Sequence, residues 1–328
     1  MNWTPVDLNS IAPIIPGMRA MVLVVAAALS AVSLGIAAQD PQDSAEATLA
    51  AVRQALGGDT ALNAVSSVDV KGTLTRTTAQ FSHDETIEYA AILPDRFVQM
   101  TENTSNLGPL GTSYHRERSG FAADDLILDS ETDSPIPTPT VAARADLTPQ
   151  EIADKRAKNV IAHKHTFANF VLPLLGASPP AHPLTFTFVG RVAGPTGSAE
   201  AIDATGPDGF VRHLFVDAQT HLIVGIAWMA KPIVTISVSS SMTMRSSSSS
   251  GSGTVVSTSP PPVLPANPTK DLPEVQWQLT VSDYRKANGL NWPHRLTTEF
   301  DGKKWEDIKL GTYRVNSKIN AAVFRPSK

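Results

Sequence analysis

Residues 275–326 read VQWQLTVSDYRKANGLNWPHRLTTEFDGKKWEDIKLGTYRVNSKINAAVFRP. Val275, Trp277, Leu279 and Val281 alternate with Gln276, Gln278 and Thr280, the period-2 pattern of a strand with one buried face. Asn288-Gly289 follows where a tight hairpin must turn, because both residues tolerate the positive φ of a type I′ turn. Trp292, Leu296 and Phe300 share one parity of the return strand. Asp301-Gly302 makes the next turn, and Trp305, Ile308 and Leu310 begin a further strand. An antiparallel meander therefore closes the chain.

Upstream, Ser44–Leu56 reads as a helix with Ala45, Leu49, Val52 and Leu56 on one stripe and Gly57-Gly58 as its stop. Asp59 is expected to cap a second short helix running through Ala64. Val68, Val70 and Leu74 share one parity of a strand. The next carries Ile87, Tyr89 and Ala91, turns at Pro94-Asp95, and gives way to another over Arg96–Thr101. In residues 103–145, Gly108, Gly111 and Gly120 punctuate short strand-like pieces, and Pro135, Pro137 and Pro139 forbid a regular ladder beyond them.

A second long helix over 148–172 starts at a capping box, Thr148-Pro149-Gln150-Glu151, with proline at the first helical position. It continues through Ala157, Val160, Ile161, Phe167, Ala168 and Val171, with Pro173 and Gly176 ending it. After it, Leu184, Phe186 and Phe188 lie on one strand face, and a strand follows near Ala199–Ala204. Asp208-Gly209 turns into Phe210–Val216, and Asp217–His221 into Leu222–Met229. That last run is apolar on both parities, so both of its faces should be covered. Residues 238–269 break the pattern. Ser246–Ser250, Gly251-Ser252-Gly253 and Pro260-Pro261-Pro262 form a low-complexity tract with too little apolar surface to order itself. Neither flank is a self-sufficient core, so the tract reads as an insertion within one domain spanning 39–328.

Met18-Arg19 precedes an apolar run from Met21 to Ala38 that ends in small residues, the layout of a secretory signal peptide over 1–38, with translation starting at Met18. The chain has no cysteine, which excludes a lipoprotein anchor and every disulfide. Its net charge of −4 offers no basic surface for phosphate backbones, so nucleic acid is disfavoured.

Catalytic signatures are missing: H-E-x-x-H, H-x-x-E-H, G-x-S-x-G, P-loop and G-x-G-x-x-G do not occur. His163 and His165, two apart on a helix, point about 200° away from each other and cannot share one ion. Asp124, Asp125, Asp129, Glu131 and Asp133 read as a solvated acidic loop without the glycine of a calcium hand. Asp203, Asp217, Glu299 and Asp301 sit mostly at turns, where an aspartate bonds its own backbone. Neither a catalytic residue, a cofactor nor a metal is expected.

The C-terminal strands resemble the LolA-like superfamily of periplasmic lipoprotein carriers and their secreted relatives. The likeness lies in Tyr284, Gly289 and Pro293, then Val315, Asn316, Ile319, Phe324 and Pro326, and it covers nearly all of the chain outside the leader and 238–269. It implies an α+β fold: a large, strongly curved, unclosed antiparallel sheet of roughly ten strands, with helices 44–64 and 148–172 packed in its concave face. It implies a periplasmic or secreted monomer that binds a lipid, lipoprotein or other hydrophobic ligand without catalysis, meeting a membrane or protein partner transiently. The lining would be Tyr89, Phe167, Val171, Phe186, Phe188, Trp228 and Trp277; taken singly, such aromatic residues read as core. The alternative function is a secreted interaction module that binds a partner or peptidase through a sheet edge or the Ser/Pro loop.

Overall fold

The computed structural model describes residues 41–78, 82–135, 148–194, 197–233 and 271–326. The expected leader at 1–38 and the Ser/Pro tract at 238–269 lie outside the described residues. Twelve strands form one antiparallel sheet: β1 Ser67–Thr77, β2 Ser82–Ile92, β3 Arg96–Asn106, β4 Thr112–Ala122, β5 Asp125–Asp133, β6 Thr185–Gly194, β7 Gly197–Thr205, β8 Val211–Asp217, β9 Ile223–Ala230, β10 Val275–Ala287, β11 Leu290–Phe300 and β12 Lys303–Val315. Their order across the sheet is β5-β4-β3-β2-β1-β12-β11-β10-β9-β8-β7-β6, so β1 and β12 meet in the middle and β5 and β6 are free edges. Two meanders are thus zipped together by the first and last strands, with Val68 opposite Val315 and Leu74 opposite Ile308. The fold is α+β, a curved and unclosed sheet with helices on one face.

Those helices are α1 Pro41–Leu56, the short α2 Asp59–Asn63 and α3 Pro149–Leu175. The α1 stripe Ala45, Leu49, Val52 and Leu56 is buried, as the periodicity predicts, in one cluster with Val68, Leu74, Phe97, Phe167 and Leu279. That cluster defines the inner face. The turn at Asn288-Gly289 has positive φ at both positions, 53° and 81°, which is what a type I′ hairpin requires. The capping box of α3 forms in full: Glu151 N–H donates to Thr148 Oγ1 at 3.2 Å and Thr148 N–H to the Glu151 carboxylate at 2.8 Å.

Four expectations are corrected. Asp59 is the first residue of α2 and Gly58, at φ 90°, takes the cap position; Asp59 instead pairs with Arg53 at 2.5 Å. Pro173 lies inside α3, which runs on to Leu175 and stops at Gly176 in the left-handed region. Residues 103–133 are not short pieces but the end of β3 and two long strands. Gly120 does not interrupt β4. A Cβ there would lie 2.0 Å from the Phe97 carbonyl oxygen, so glycine is what lets β4 approach β3. These strands escaped the periodicity because much of their length is exposed on both faces. The acidic residues are accordingly on a strand and its turn, with Asp129 paired to Arg118 and Asp124 to Lys164 at 2.8 Å. In β9 both parities are buried at Ile226 and Ala227, but Met229 is exposed at the strand's end.

The residues behind the C-terminal motif have structural work. Asn316, at φ 54°, accepts from Ser66 N–H at 2.7 Å and Ser67 N–H at 3.3 Å and donates to the Ala64 carbonyl at 2.8 Å, tying the β12 end to the β1 start. Tyr284 O–H donates to the Ile223 carbonyl at 2.8 Å, and Pro293 offers its carbonyl to Tyr313 O–H at 2.6 Å. Phe324, on a 3-10 turn at Ala321–Phe324, packs on the outer face against Val98, Met100 and Ile127.

Candidate functional site

Strand register brings one transverse row of residues onto the inner face. Phe186 of β6 lies opposite Ala204 of β7, and Ala204 opposite Arg212 of β8. His213 opposite Ala227 sets Arg212 beside Trp228 of β9. Trp228 lies opposite Trp277 of β10, and Trp277 opposite Phe300 of β11. Alternation makes this row face inward: Trp277 shares the parity of Leu279 and Val281, and Trp228 that of Ile226.

The rings form a continuous surface. Trp228 stacks on Trp277 with centroids 6.0 Å apart and planes 13° from parallel. Trp277 stacks on Phe300 at 4.8 Å, and Phe300 meets Trp305 at 6.1 Å. Trp305 reaches the row because β11 and β12 slip register between Thr298 and Glu299, leaving it unpaired at a bulge. Beyond it, Arg76 lies 5.8 Å from the Trp305 ring and bridges Glu85 at 2.9 Å and Glu306 at 3.2 Å. Burial raises the Glu306 carboxyl above the usual range against the pull of Arg76. Trp228, Phe300 and Trp305 are only half-buried. Trp277 is 8% exposed, and its Nε1–H is buried without a hydrogen-bond partner.

At the β8 end of the row Arg212 is clamped between two rings, 4.4 Å from the Phe210 centroid and 4.8 Å from that of Trp228. Its Nε–H donates to Asn169 Oδ1 of α3 at 2.9 Å and Nη1 to the Val211 carbonyl at 2.8 Å. It is 7% exposed, and burial brings its pKa down to about 10. Against the same Phe210 ring stand two imidazoles edge-on, His165 at 5.2 Å and His182 at 5.0 Å. The Nε2 atoms of both are buried and unpartnered. Burial is the main cause that lowers His165 to about 4, with Arg212 adding to it, and burial likewise lowers His182.

The other half of the inner face is sealed by α3. Phe170 stacks on Tyr89 at 4.7 Å, and Phe167 packs on Phe97 at 5.3 Å and on Phe121 at 5.6 Å. Phe167 is fully buried and Val171 is 2% exposed. The residues named from the sequence therefore fall into two groups. Phe186, Trp228 and Trp277 share the row, with Phe188 two positions along β6 and half-buried. Tyr89, Phe167 and Val171 lie in the sealed cluster.

Arg212 and His182 escaped the sequence reading, while Phe300, Trp305 and His165 were placed on their strands and helix without being named for the site. One signal was present: Arg212 holds the same parity as Phe210, Leu214 and Val216, so an arginine stands where the strand pattern asks for an apolar side chain. By contrast, a cleft of about 350 Å³ on the outer face is lined by Arg116, Arg118, Asp129 and Glu131, and both arginines have carboxylate partners, Glu102 and Asp129.

No family profile matches this chain, and no curated protein does. Solved structures do. It is similar to a DUF1329 family protein from Desulfovibrio piger (9% identity, 88% of this chain and 98% of that one, TM-score 0.43). A LolA superfamily protein from Nitrosomonas europaea is 8% identical over 86% of this chain and 97% of its own, with a TM-score of 0.43. A domain described as an outer membrane lipoprotein-sorting protein, from Vibrio parahaemolyticus, gives 9%, 85%, 97% and 0.40. These likenesses are distant and carry no inference about what this chain binds.

Proposed function

We propose that this protein is an exported, non-catalytic binding protein for a hydrophobic ligand, a lipid or acyl chain, held against the aromatic row of the inner face. One observation carries the reading: in the stack of rings from three adjacent strands, Trp228 and Phe300 on either side of the buried Trp277 are only half-buried, on the face whose other half is packed shut. An acyl chain laid on such a surface gains about 0.8 kcal/mol per methylene buried, so half a chain supplies several kcal/mol. Phe186 and Phe188 extend the floor on β6, while Tyr89, Phe167 and Val171 form its closed end. Among the described residues no helix is long and apolar enough to cross a membrane, and export rests on the leader expected at 18–38.

The test is tryptophan emission from the purified protein titrated with a dibrominated stearate, alongside mass spectrometry of the native preparation. Saturable quenching that Trp228→Ala weakens supports the reading. Absence of quenching, with no co-purifying lipid, removes it in favour of the partner-binding module.

A further inference from the structure

Arg212 is the residue whose placement the fold alone does not account for. Taking a guanidinium out of water is costly unless an opposite charge and hydrogen bonds replace the hydration. Here, among the described residues, no carboxylate lies within ion-pair distance of it. The nearby cation Lys164 is already engaged by Asp124 at 2.8 Å. Asp208 on the adjoining turn acts on His165 and His182 but is not paired with Arg212. Guanidinium carries five N–H donors. One on Nε and one on Nη1 are used, so three remain, two of them on Nη2. The Phe210 and Trp228 rings, 4.4 Å and 4.8 Å from the guanidinium carbon, supply part of the lost solvation and leave the unused Nη donors, its donor edge, as the place for a ligand.

The chemistry that matches such an edge is a planar or tetrahedral oxyanion taken through two parallel N–H bonds. Arg212 stands on the aromatic row itself, beside Trp228. A ligand whose chain lies over Trp228, Trp277 and Phe300 would therefore bring its head group to this end. The two imidazoles against Phe210, each with an unpartnered Nε2 and His182 only 1% exposed, add further capacity for a hydrogen bond at the same end.

We propose that Arg212 holds the carboxylate or phosphate head of an anionic amphiphile whose apolar chain lies along the row; this rests on the binding reading above and specifies its ligand. The experiment compares hexadecanoate, hexadecyl phosphate, hexadecanol and inorganic phosphate on the wild-type protein, by tryptophan quenching and by calorimetry. Arg212→Met and Arg212→Lys are measured in parallel, each with its cooperative thermal transition recorded.

The expected result is that the two anionic amphiphiles bind at least about tenfold more tightly than the alcohol. Arg212→Met should erase that gap while hexadecanol binding stays within about twofold, and Arg212→Lys should recover part of it. Equal affinity of alcohol and anions in the wild type overturns the head-group assignment and leaves hydrophobic binding standing, whether or not either variant folds. Failure of all three amphiphiles removes both. Inorganic phosphate binding as tightly as hexadecyl phosphate overturns the amphiphile in favour of a free anion.

Discussion

Under the C-terminal half of α3, the rings of Tyr89, Phe97, Phe121, Phe167 and Phe170 interlock at 4.7 to 6.4 Å and are all buried. Across β9 to β12, Trp228, Trp277, Phe300 and Trp305 make an equally continuous surface, yet three of the four are only half-buried. The second region, with its β8 end, also gathers buried polar atoms without hydrogen-bond partners, Trp277 Nε1, His165 Nε2 and His182 Nε2, around an Arg212 that has no carboxylate partner among the described residues. A core built for stability satisfies its buried polar groups. The proposed ligand site rests on that difference: several unsatisfied buried groups stand beside rings that are only half-buried. Aromatic content alone does not separate the two; hydrogen-bond accounting does.

The largest effect should come from putting charge into the sealed region. Phe167→Asp buries a carboxylate among Phe97 and Phe121, where Lys164, 5.9 Å from the Phe121 ring, is already paired with Asp124, at a cost on the order of 5 kcal/mol. Loss of the cooperative transition in a thermal melt is the expected outcome. A variant that melts normally but no longer binds an apolar probe would reverse the comparison and make the α3 side the cavity.

Trp228→Ala, in the open row, should do the opposite. Because the side chain is only half-buried, its removal should cost about 2 kcal/mol, less than a fully buried tryptophan, a fall of roughly 4–8 °C in a domain of this size, while lowering affinity for a brominated fatty acid about tenfold. A melting point that collapses with unchanged affinity would show the row to be ordinary core.

The smallest effect is on pH dependence and concerns His165. Its native pKa, about 4, lies below the ordinary 6.5, so between these values the unfolded chain binds more protons than the native one. Stability from this group is fully present above about pH 6.5 and is lost as pH falls toward 4. With solvent screening of a half-buried ring, the loss is about 1–2 kcal/mol. Glu306, whose pKa is raised, works in the opposite direction through the upper carboxylate range. His165→Gln should therefore flatten the decline in melting temperature between pH 7 and pH 4.5 relative to wild type. An unchanged slope would mean that the imidazole is hydrated in the native state and that the orphaned Nε2 is no feature of the open region.

What could be read from the sequence were features whose cause is local. Asn288-Gly289 and Asp301-Gly302 announce hairpins because few residue pairs accept positive φ at such positions. Thr148 through Glu151 announce a helix because Thr148 and Glu151 cap each other's N–H groups and Pro149 needs no N–H partner at the first position. The stripe of α1 and the alternation of β10 follow from periods of 3.6 and 2. The strands β4 and β5 were hidden, since strands exposed on both faces carry no alternation to detect.

The aromatic row belongs to the tertiary structure alone. Phe186, Arg212, Trp228, Trp277 and Phe300 are spread over more than a hundred residues of chain, and nothing in their local spacing relates them. Five strand pairings, each with its own register, bring them onto one line. A slip of one residue in any of them would turn that strand's members to the outer face. Arg212 showed in the sequence as a charge at an apolar position. That it lies beside Phe210 and Trp228 with no carboxylate among the described residues to meet it was decided by packing, because counter-charges in a folded chain come from whichever strands the sheet makes neighbours.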